Sequence, residues 1–142
     1  MDIEHIAVIG SGQMGNGIAQ VAACAGYSVT MVDIKQDFLD KGMETISSSL
    51  NRLVAKERMS KEDADNAMSR INASTDTNSC ASADLVVEAI PEIPELKYST
   101  FGQLDSICKE SAILASNTSS ISIDSIAGST NRPDKVIGMH FM

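Results

Sequence analysis

The sequence predicts an α/β fold with a doubly wound, mainly parallel sheet that carries helices on both faces. Apolar runs typical of buried strands alternate along the chain with amphipathic helical patterns. A glycine-rich turn at residues 10–15 separates the first apolar run from the first helical pattern. The length of 142 residues suits one unit, so we predict a single domain over residues 1–142.

The first third of the chain predicts a strand, a helix and a second strand. An apolar run places a strand at residues 3–9, and Gly26 is the expected end of a helix at residues 14–25. A second apolar run predicts a strand at residues 28–33. The residues expected to face the core from the helix share a spacing of three or four, and they are Ile18, Val21, Ala22 and Ala25.

The middle of the chain predicts a long helix, a short helix and a short strand. The long helix covers residues 36–56. Ser60, with Asp63 three residues later, resembles a capping box that opens a helix running to about Arg70. Residues 71–75 predict the strand. The core stripe of the long helix repeats at helical spacing and consists of Leu39, Met43, Ile46, Leu50 and Leu53.

The last third of the chain continues the alternation. It predicts buried strands at residues 83–88 and 112–115, a helix at 94–107 between them, a short helix at 122–127 and a final strand at 136–140. Leu96, Leu104 and Ile107 are expected to face the core. This order places His140 at the end of the final strand, at the edge where parallel strands present functional residues.

The glycine-rich turn indicates a dinucleotide site. Gly10 allows the tight turn, Gly12 allows close approach of a pyrophosphate, and Gly15 allows close packing of helix on sheet. Asp33 ends the second predicted strand, 18 residues after Gly15, which suits a carboxylate that binds the adenosine ribose and favours NAD over NADP. The predicted cofactor-binding residues of the turn are Gly10, Ser11, Gly12, Gln13, Met14 and Gly15.

Charge and composition exclude several classes of function. The net charge of −8 opposes a nucleic-acid partner, and no apolar stretch is long enough to span a membrane. Three widely spaced cysteines and two distant histidines offer no metal site. These features, with no signal peptide in view, lead us to expect a cytoplasmic location without nucleic-acid or membrane partners.

Five segments in order resemble the amino-terminal NAD-binding domain of the 3-hydroxyacyl-CoA dehydrogenases, enzymes of fatty acid β-oxidation with a Rossmann-type fold. They are residues 10–19, Asp33, residues 86–92, residues 116–120 and residues 138–141. The resemblance implies hydride transfer between 3-hydroxyacyl-CoA and NAD to give 3-oxoacyl-CoA. It implies a catalytic role for His140 as base with Ser119, cofactor contacts by Glu92, Lys97, Asn117 and Ser119, and coenzyme A contacts by Ser49 and Lys56.

The resemblance stops where the family's helical carboxyl-terminal domain would begin, so we expect that domain to be absent. Full-length members form homodimers through it. The 142-residue chain is therefore expected to bind NAD, to be nearly inactive alone, and to be monomeric or weakly associating. Two alternatives stay open: a dehydrogenase of another hydroxy acid, such as the 3-hydroxyisobutyrate group, and a non-catalytic NAD-binding module.

Overall fold

The computed structural model describes residues 2–141 and confirms the predicted fold class. Six parallel strands form one sheet in the order β3-β2-β1-β4-β5-β6. The chain starts in the centre of the sheet and winds outward first in one direction and then in the other. The strands are β1 (His5–Ile9), β2 (Ser28–Val32), β3 (Ile71–Ser74), β4 (Leu85–Glu88), β5 (Ile113–Ser116) and β6 (Val136–Gly138).

Helices cover both faces of the sheet because alternate strand residues point to opposite sides. Ile6 and Val8 of β1 join the core beneath the first three helices, whereas Ala7 and Ile9 join the core beneath the last two. The helices are α1 (Gln13–Cys24), α2 (Gln36–Ala55), α3 (Lys61–Ser69), α4 (Pro94–Ile107) and α5 (Ile123–Ala127). Ser60 caps α3 through a 3.0 Å bond from the Asp63 amide, as the sequence predicts.

The boundaries differ from the sequence prediction at both ends of the chain. The first strand begins at His5, and the final strand ends at Gly138 rather than at His140. His140 therefore lies two residues beyond the sheet, in a segment without regular structure. Two short 3-10 helices, at Thr77–Cys80 and Pro133–Lys135, were not predicted, because turns this short leave no periodic pattern.

The predicted core faces are only partly correct. On α2, Leu39, Ile46 and Leu50 are buried as predicted. On α1, Val21 is 60% exposed, and on α4 Leu96 is 41% exposed. The other predicted core residues of these helices differ in exposure. Ile18, Ala22 and Leu104 are buried, and Met43, Leu53 and Ile107 are half-buried. Ala25 is exposed.

Two properties of residues 2–141 bear on the partners of the chain. No helix among them combines the length and the apolar character needed to cross a membrane. The same residues hold no group of three or more metal-ligating side chains. Cys24, Cys80 and Cys108 are all free thiols.

Candidate functional site

The glycine-rich turn between β1 and α1 has the close packing that glycine permits. Gly10 adopts φ +104°, a conformation that side chains disfavour, and a Cβ there would lie 2.6 Å from the Ala89 carbonyl oxygen. A Cβ on Gly15 would lie 1.9 Å from the carbonyl oxygen of Gly10. Gly15 thus allows the first turn of α1 to pack against the strand end, as its place in the motif predicts.

Gly12 differs from these two glycines because space around it is open. A Cβ on Gly12 would meet nothing within 4 Å, and the residue is exposed. Gly12 is also the N-cap of α1, where no side chain of the described residues caps the helix and no acidic residue occupies the first turn. The free N–H groups and the open approach fit the pyrophosphate of a dinucleotide. Gln13 and Met14 are exposed beside this approach.

Asp33 is tied to the turn through Ser11. One carboxylate oxygen of Asp33 accepts from the Ser11 amide at 2.8 Å and from the Ser11 hydroxyl at 2.6 Å. The other oxygen accepts from the Ile34 amide at 2.8 Å. These bonds fix the carboxylate at the mouth of the nucleotide approach, where the sequence prediction places a ribose-binding acid.

A cleft of about 280 Å³ opens at the carboxyl edge of the sheet, next to the start of α1. It brings together predicted site residues from segments that are distant in sequence. Its lining is Met14, Ala89, Ile90, Pro91, Glu92, Asn117, Ser119, His140 and Phe141. Lys97, which was also predicted to line the cofactor site, is not part of this lining.

The backbone on either side of His140 is anchored to the end of β5. The Met139 amide donates to the Ser116 carbonyl at 2.9 Å. The Phe141 amide donates to the Asn117 side-chain oxygen at 2.7 Å. His140 itself is exposed on the cleft. Asn117 therefore positions the His140 segment through its oxygen, a role that the sequence did not predict.

Lys97 lies beneath the cleft in a cluster of charged side chains. It is 1% exposed and its ammonium is 2.5 Å from an oxygen of Glu88, which is fully buried. It also donates to the Ile90 carbonyl at 3.2 Å and lies 3.1 Å from Glu92. The Glu88 carboxylate further accepts from the Ser116 hydroxyl at 2.6 Å and from the Ile90 amide at 2.8 Å.

Glu92 connects this cluster to the loop after β5. Its second oxygen accepts from the hydroxyls of Thr118 and Ser120 at 2.9 and 2.8 Å, and from the Ser119 amide at 3.4 Å. Burial by itself would raise the pKa of the Glu92 carboxyl, but the bonds from Ser120, Thr118 and Lys97 outweigh it and lower that pKa to about 2. Glu92 is therefore ionised at neutral pH. No hydrogen bond within residues 2–141 engages the Ser119 hydroxyl, which stays free for a ligand.

The residues predicted to contact coenzyme A lie on α2, outside this cleft. Ser49 is half-buried and its hydroxyl accepts from the Gln20 side chain of α1 at 3.0 Å. Lys56 is the exposed C-cap residue of α2. Their separation of seven residues places them on one face of the helix.

Sequence reasoning gave no role to four residues that shape the site. Glu88 and Ser116 support the cleft from below. Asn16 donates to the Gly12 carbonyl at 2.7 Å, and a Cβ on Gly42 of α2 would lie 2.9 Å from the Ser11 carbonyl oxygen. Two sequence signals could have identified two of these residues. Glu88 is a carboxylate at the end of a buried strand, and Gly42 is a glycine inside a long helix.

Comparison with known proteins agrees with this geometry. A sequence model described as "3-hydroxyacyl-CoA dehydrogenase, NAD binding domain" matches residues 5–142. The 3-hydroxybutyryl-CoA dehydrogenase of Bradyrhizobium diazoefficiens is 46% identical over 99% of this chain and 48% of its own length. The mitochondrial hydroxyacyl-coenzyme A dehydrogenase of Rattus norvegicus is 44% identical over 98% of this chain and 46% of its own length.

A solved structure gives the same result. The (S)-3-hydroxybutyryl-CoA dehydrogenase PaaH1 of Ralstonia eutropha superposes with a TM-score of 0.97 at 45% identity, covering 99% of this chain and 50% of that one. The chain thus spans about half the length of the curated relatives it matches. It belongs to the 3-hydroxyacyl-CoA dehydrogenase family, of which it forms the NAD-binding domain.

Proposed function

We propose that this domain serves an enzyme that oxidises 3-hydroxyacyl-CoA to 3-oxoacyl-CoA with NAD. The observation that carries the proposal is the shared cleft of Ser119 and His140, which lies beside Met14 at the uncapped start of α1. A nucleotide bound along that helix start would enter the cleft with its nicotinamide end. A hydroxyl-holding group and a base would then both face the reacting carbon.

His140 and Ser119 have different roles at the substrate hydroxyl. The His140 imidazole takes the proton from the hydroxyl oxygen, because histidine is the side chain that most often serves as a general base. The free Ser119 hydroxyl holds that oxygen while the carbonyl forms. A bound nicotinamide would supply the acceptor for the hydride on the carbon that bears this hydroxyl. The proton would go to His140 and the hydride to the cofactor, so the charges balance.

Different residues are proposed to bind NAD and coenzyme A. For NAD, Asp33 is held ready for the ribose by Ser11, and Glu92, Asn117 and Ser119 line the nicotinamide side. For coenzyme A, half-buried Ser49 and exposed Lys56 lie on one face of α2, which would bind the phosphate-rich end of the substrate.

The proposal extends to the location and the assembly of the domain. The three free thiols support a reducing compartment, consistent with the cytoplasm. Half-buried Met139 and Phe141 border an apolar groove with exposed Val21, which supports weak association of the domain with another copy or with a further domain.

A chimera tests the proposal. Residues 1–142 would replace the matching half of the Bradyrhizobium diazoefficiens relative, and NADH formation from 3-hydroxybutyryl-CoA would be followed by absorbance. We expect turnover by the chimera and a loss of about 10²–10⁴-fold in rate for His140→Asn, because the positioned base is removed. His5→Asn is the matched control, since His5 is the first residue of β1 and lies beside Thr30 and Ser82, at the end of the strand opposite to the cleft.

The outcomes separate the alternatives. A chimera that binds NAD without turnover would favour a non-catalytic NAD-binding module. Equal rates for His140→Asn and His5→Asn would remove His140 from the role of base. Turnover of 3-hydroxyisobutyrate in preference to 3-hydroxybutyryl-CoA would favour the other dehydrogenase group.

A further inference from the structure

The Lys97 ammonium has no proton left for a ligand. An ammonium carries three donors, and Lys97 directs them to Glu88, to the Ile90 carbonyl and to Glu92, at 2.5, 3.2 and 3.1 Å. The side chain is 1% exposed and does not line the cleft. Lys97 is therefore a positioning residue that acts on the cleft through Glu92.

The charges of this cluster do not cancel. Glu88 and Glu92 contribute two negative charges against the single positive charge of Lys97. Glu88 is fully buried and its oxygens already accept from Lys97, Ser116 and the Ile90 amide, so this buried pair is compensated within the protein. The excess negative charge consequently lies on Glu92, whose side chain is 38% exposed.

Glu92 holds that charge in a fixed place. Lys97 binds one of its oxygens, while Thr118 and Ser120 bind the other at 2.9 and 2.8 Å. Among the described residues that line the cleft, Glu92 is the one carboxylate, and His140 is the one other titratable side chain. A ligand ring that enters the cleft therefore meets a negative charge that neither rotates away nor takes up a proton near neutral pH.

We propose that Glu92 makes the domain discriminate between the oxidised and the reduced forms of its dinucleotide. The nicotinamide ring of NAD⁺ carries one positive charge, which is lost when the ring gains a hydride. The rest of the two molecules is the same, so a fixed carboxylate beside the ring stabilises the oxidised form selectively. The inference rests on the proposed function, which places the nicotinamide in this cleft.

The discrimination has a consequence for the reaction sequence. Attraction between Glu92 and the ring favours loading of NAD⁺ before the hydroxyacyl substrate is oxidised. Once the hydride has moved from the substrate carbon to the ring, the ring is neutral and the attraction is gone. The same carboxylate therefore assists cofactor entry and does not retain the reduced product.

Separate titrations of NAD⁺ and NADH test the proposal. Both would be measured by calorimetry at one pH on the 142-residue chain, on Glu92→Gln and on Glu110→Gln. The last is the control, because Glu110 is exposed, lies before β5 and gives the same change in net charge. We expect Glu92→Gln to weaken NAD⁺ binding by roughly tenfold, a partly solvent-screened effect, while NADH binding and the control change by less than about threefold.

The salt dependence of the native chain provides a measurement that needs no variant. The pyrophosphate is common to both forms, so its screening cancels in the ratio of the two dissociation constants. We expect the ratio Kd(NAD⁺)/Kd(NADH) to rise as salt screens the attraction between Glu92 and the oxidised ring. An unchanged ratio would overturn the proposal, as would an equal loss of both forms in Glu92→Gln. Failure of the native chain to bind either form would instead contradict the proposed function.

Discussion

The nucleotide turn and the charged cleft lie at the same edge of the sheet but are held in place by different forces. The turn at Gly10–Gly15 is shaped by backbone packing, in which glycines leave room for carbonyl oxygens. Apart from Met14, which belongs to the turn, the cleft is assembled from three separate segments, and side-chain hydrogen bonds centred on Glu88 and Glu92 hold two of them together. Substitutions should therefore act by steric conflict in the turn and by uncompensated charge in the cleft.

The largest effect is expected for Lys97→Met, which leaves Glu88 buried without its cation. Removing one partner of a buried ion pair typically lowers the free energy of unfolding by about 3–5 kcal/mol. Chemical denaturation, read by circular dichroism, measures the change. Adding Glu88→Gln to Lys97→Met should recover part of the loss, because the double variant no longer buries a lone charge.

Lys61→Met is the matched control for this prediction. Lys61 lies 3.5 Å from Asp65, but both side chains of that pair are exposed, so its loss should cost less than about 1 kcal/mol. Equal stability of the Lys97→Met and Lys61→Met variants would show that the cluster beneath the cleft is not held by the buried ion pair.

Gly15→Ala and Gly12→Ala test the steric side of the comparison. A Cβ on Gly15 would lie 1.9 Å from the Gly10 carbonyl oxygen, so the backbone must shift, at a cost of about 1–3 kcal/mol in stability. A Cβ on Gly12 would meet nothing within 4 Å, so Gly12→Ala should fold with near-native stability.

Affinity for NAD then separates the two glycine variants further. Gly12→Ala should weaken NAD binding despite its stability, because the methyl group occupies the approach of the pyrophosphate. Thermal unfolding and NAD titration of both variants measure these effects. Native NAD affinity in Gly12→Ala would place the pyrophosphate elsewhere.

Sequence patterns predicted the turn better than the cleft because its geometry is local. Gly10, Gly12, Gly15 and Asp33 are recognisable from spacing alone, and the structure confirms the strand, turn and helix around them. The bond between Glu88 and Ser116 joins residues 28 apart in sequence. It depends on the pairing of β4 with β5 and on their register, which no periodicity within one segment specifies.

The error on α4 has the same origin. An apolar pattern predicted Leu96 in the core, but Lys97 is buried instead, together with Phe101 and Leu104. The ion pair with Glu88 turns Lys97 inward, which rotates Leu96 toward solvent. A prediction from hydrophobic periodicity assumes that lysine is exposed. It therefore assigns the wrong face of a helix to the core when a lysine of that helix is buried in an ion pair.

The smallest effect is expected on α2, in a region that belongs to neither the turn nor the cleft. Lys56 is exposed at the C-cap of α2, so its contact with a coenzyme A phosphate should contribute only about 0.5–1 kcal/mol and should fade with salt. Titration of the chain with coenzyme A at low and high salt would compare Lys56→Ala with Lys61→Ala, an exposed lysine on α3.

Lys56→Ala should leave NAD binding unchanged, because α2 contacts the nucleotide turn at Gly42, far along the helix from its C-cap. A loss of NAD affinity in Lys56→Ala would mean that the far end of α2 also supports the turn. Equal coenzyme A affinity of the two lysine variants at low salt would identify Lys56 as an ordinary solvated lysine. In that case Ser49, whose hydroxyl accepts from Gln20 and still has a proton to donate, would carry the remaining α2 contact.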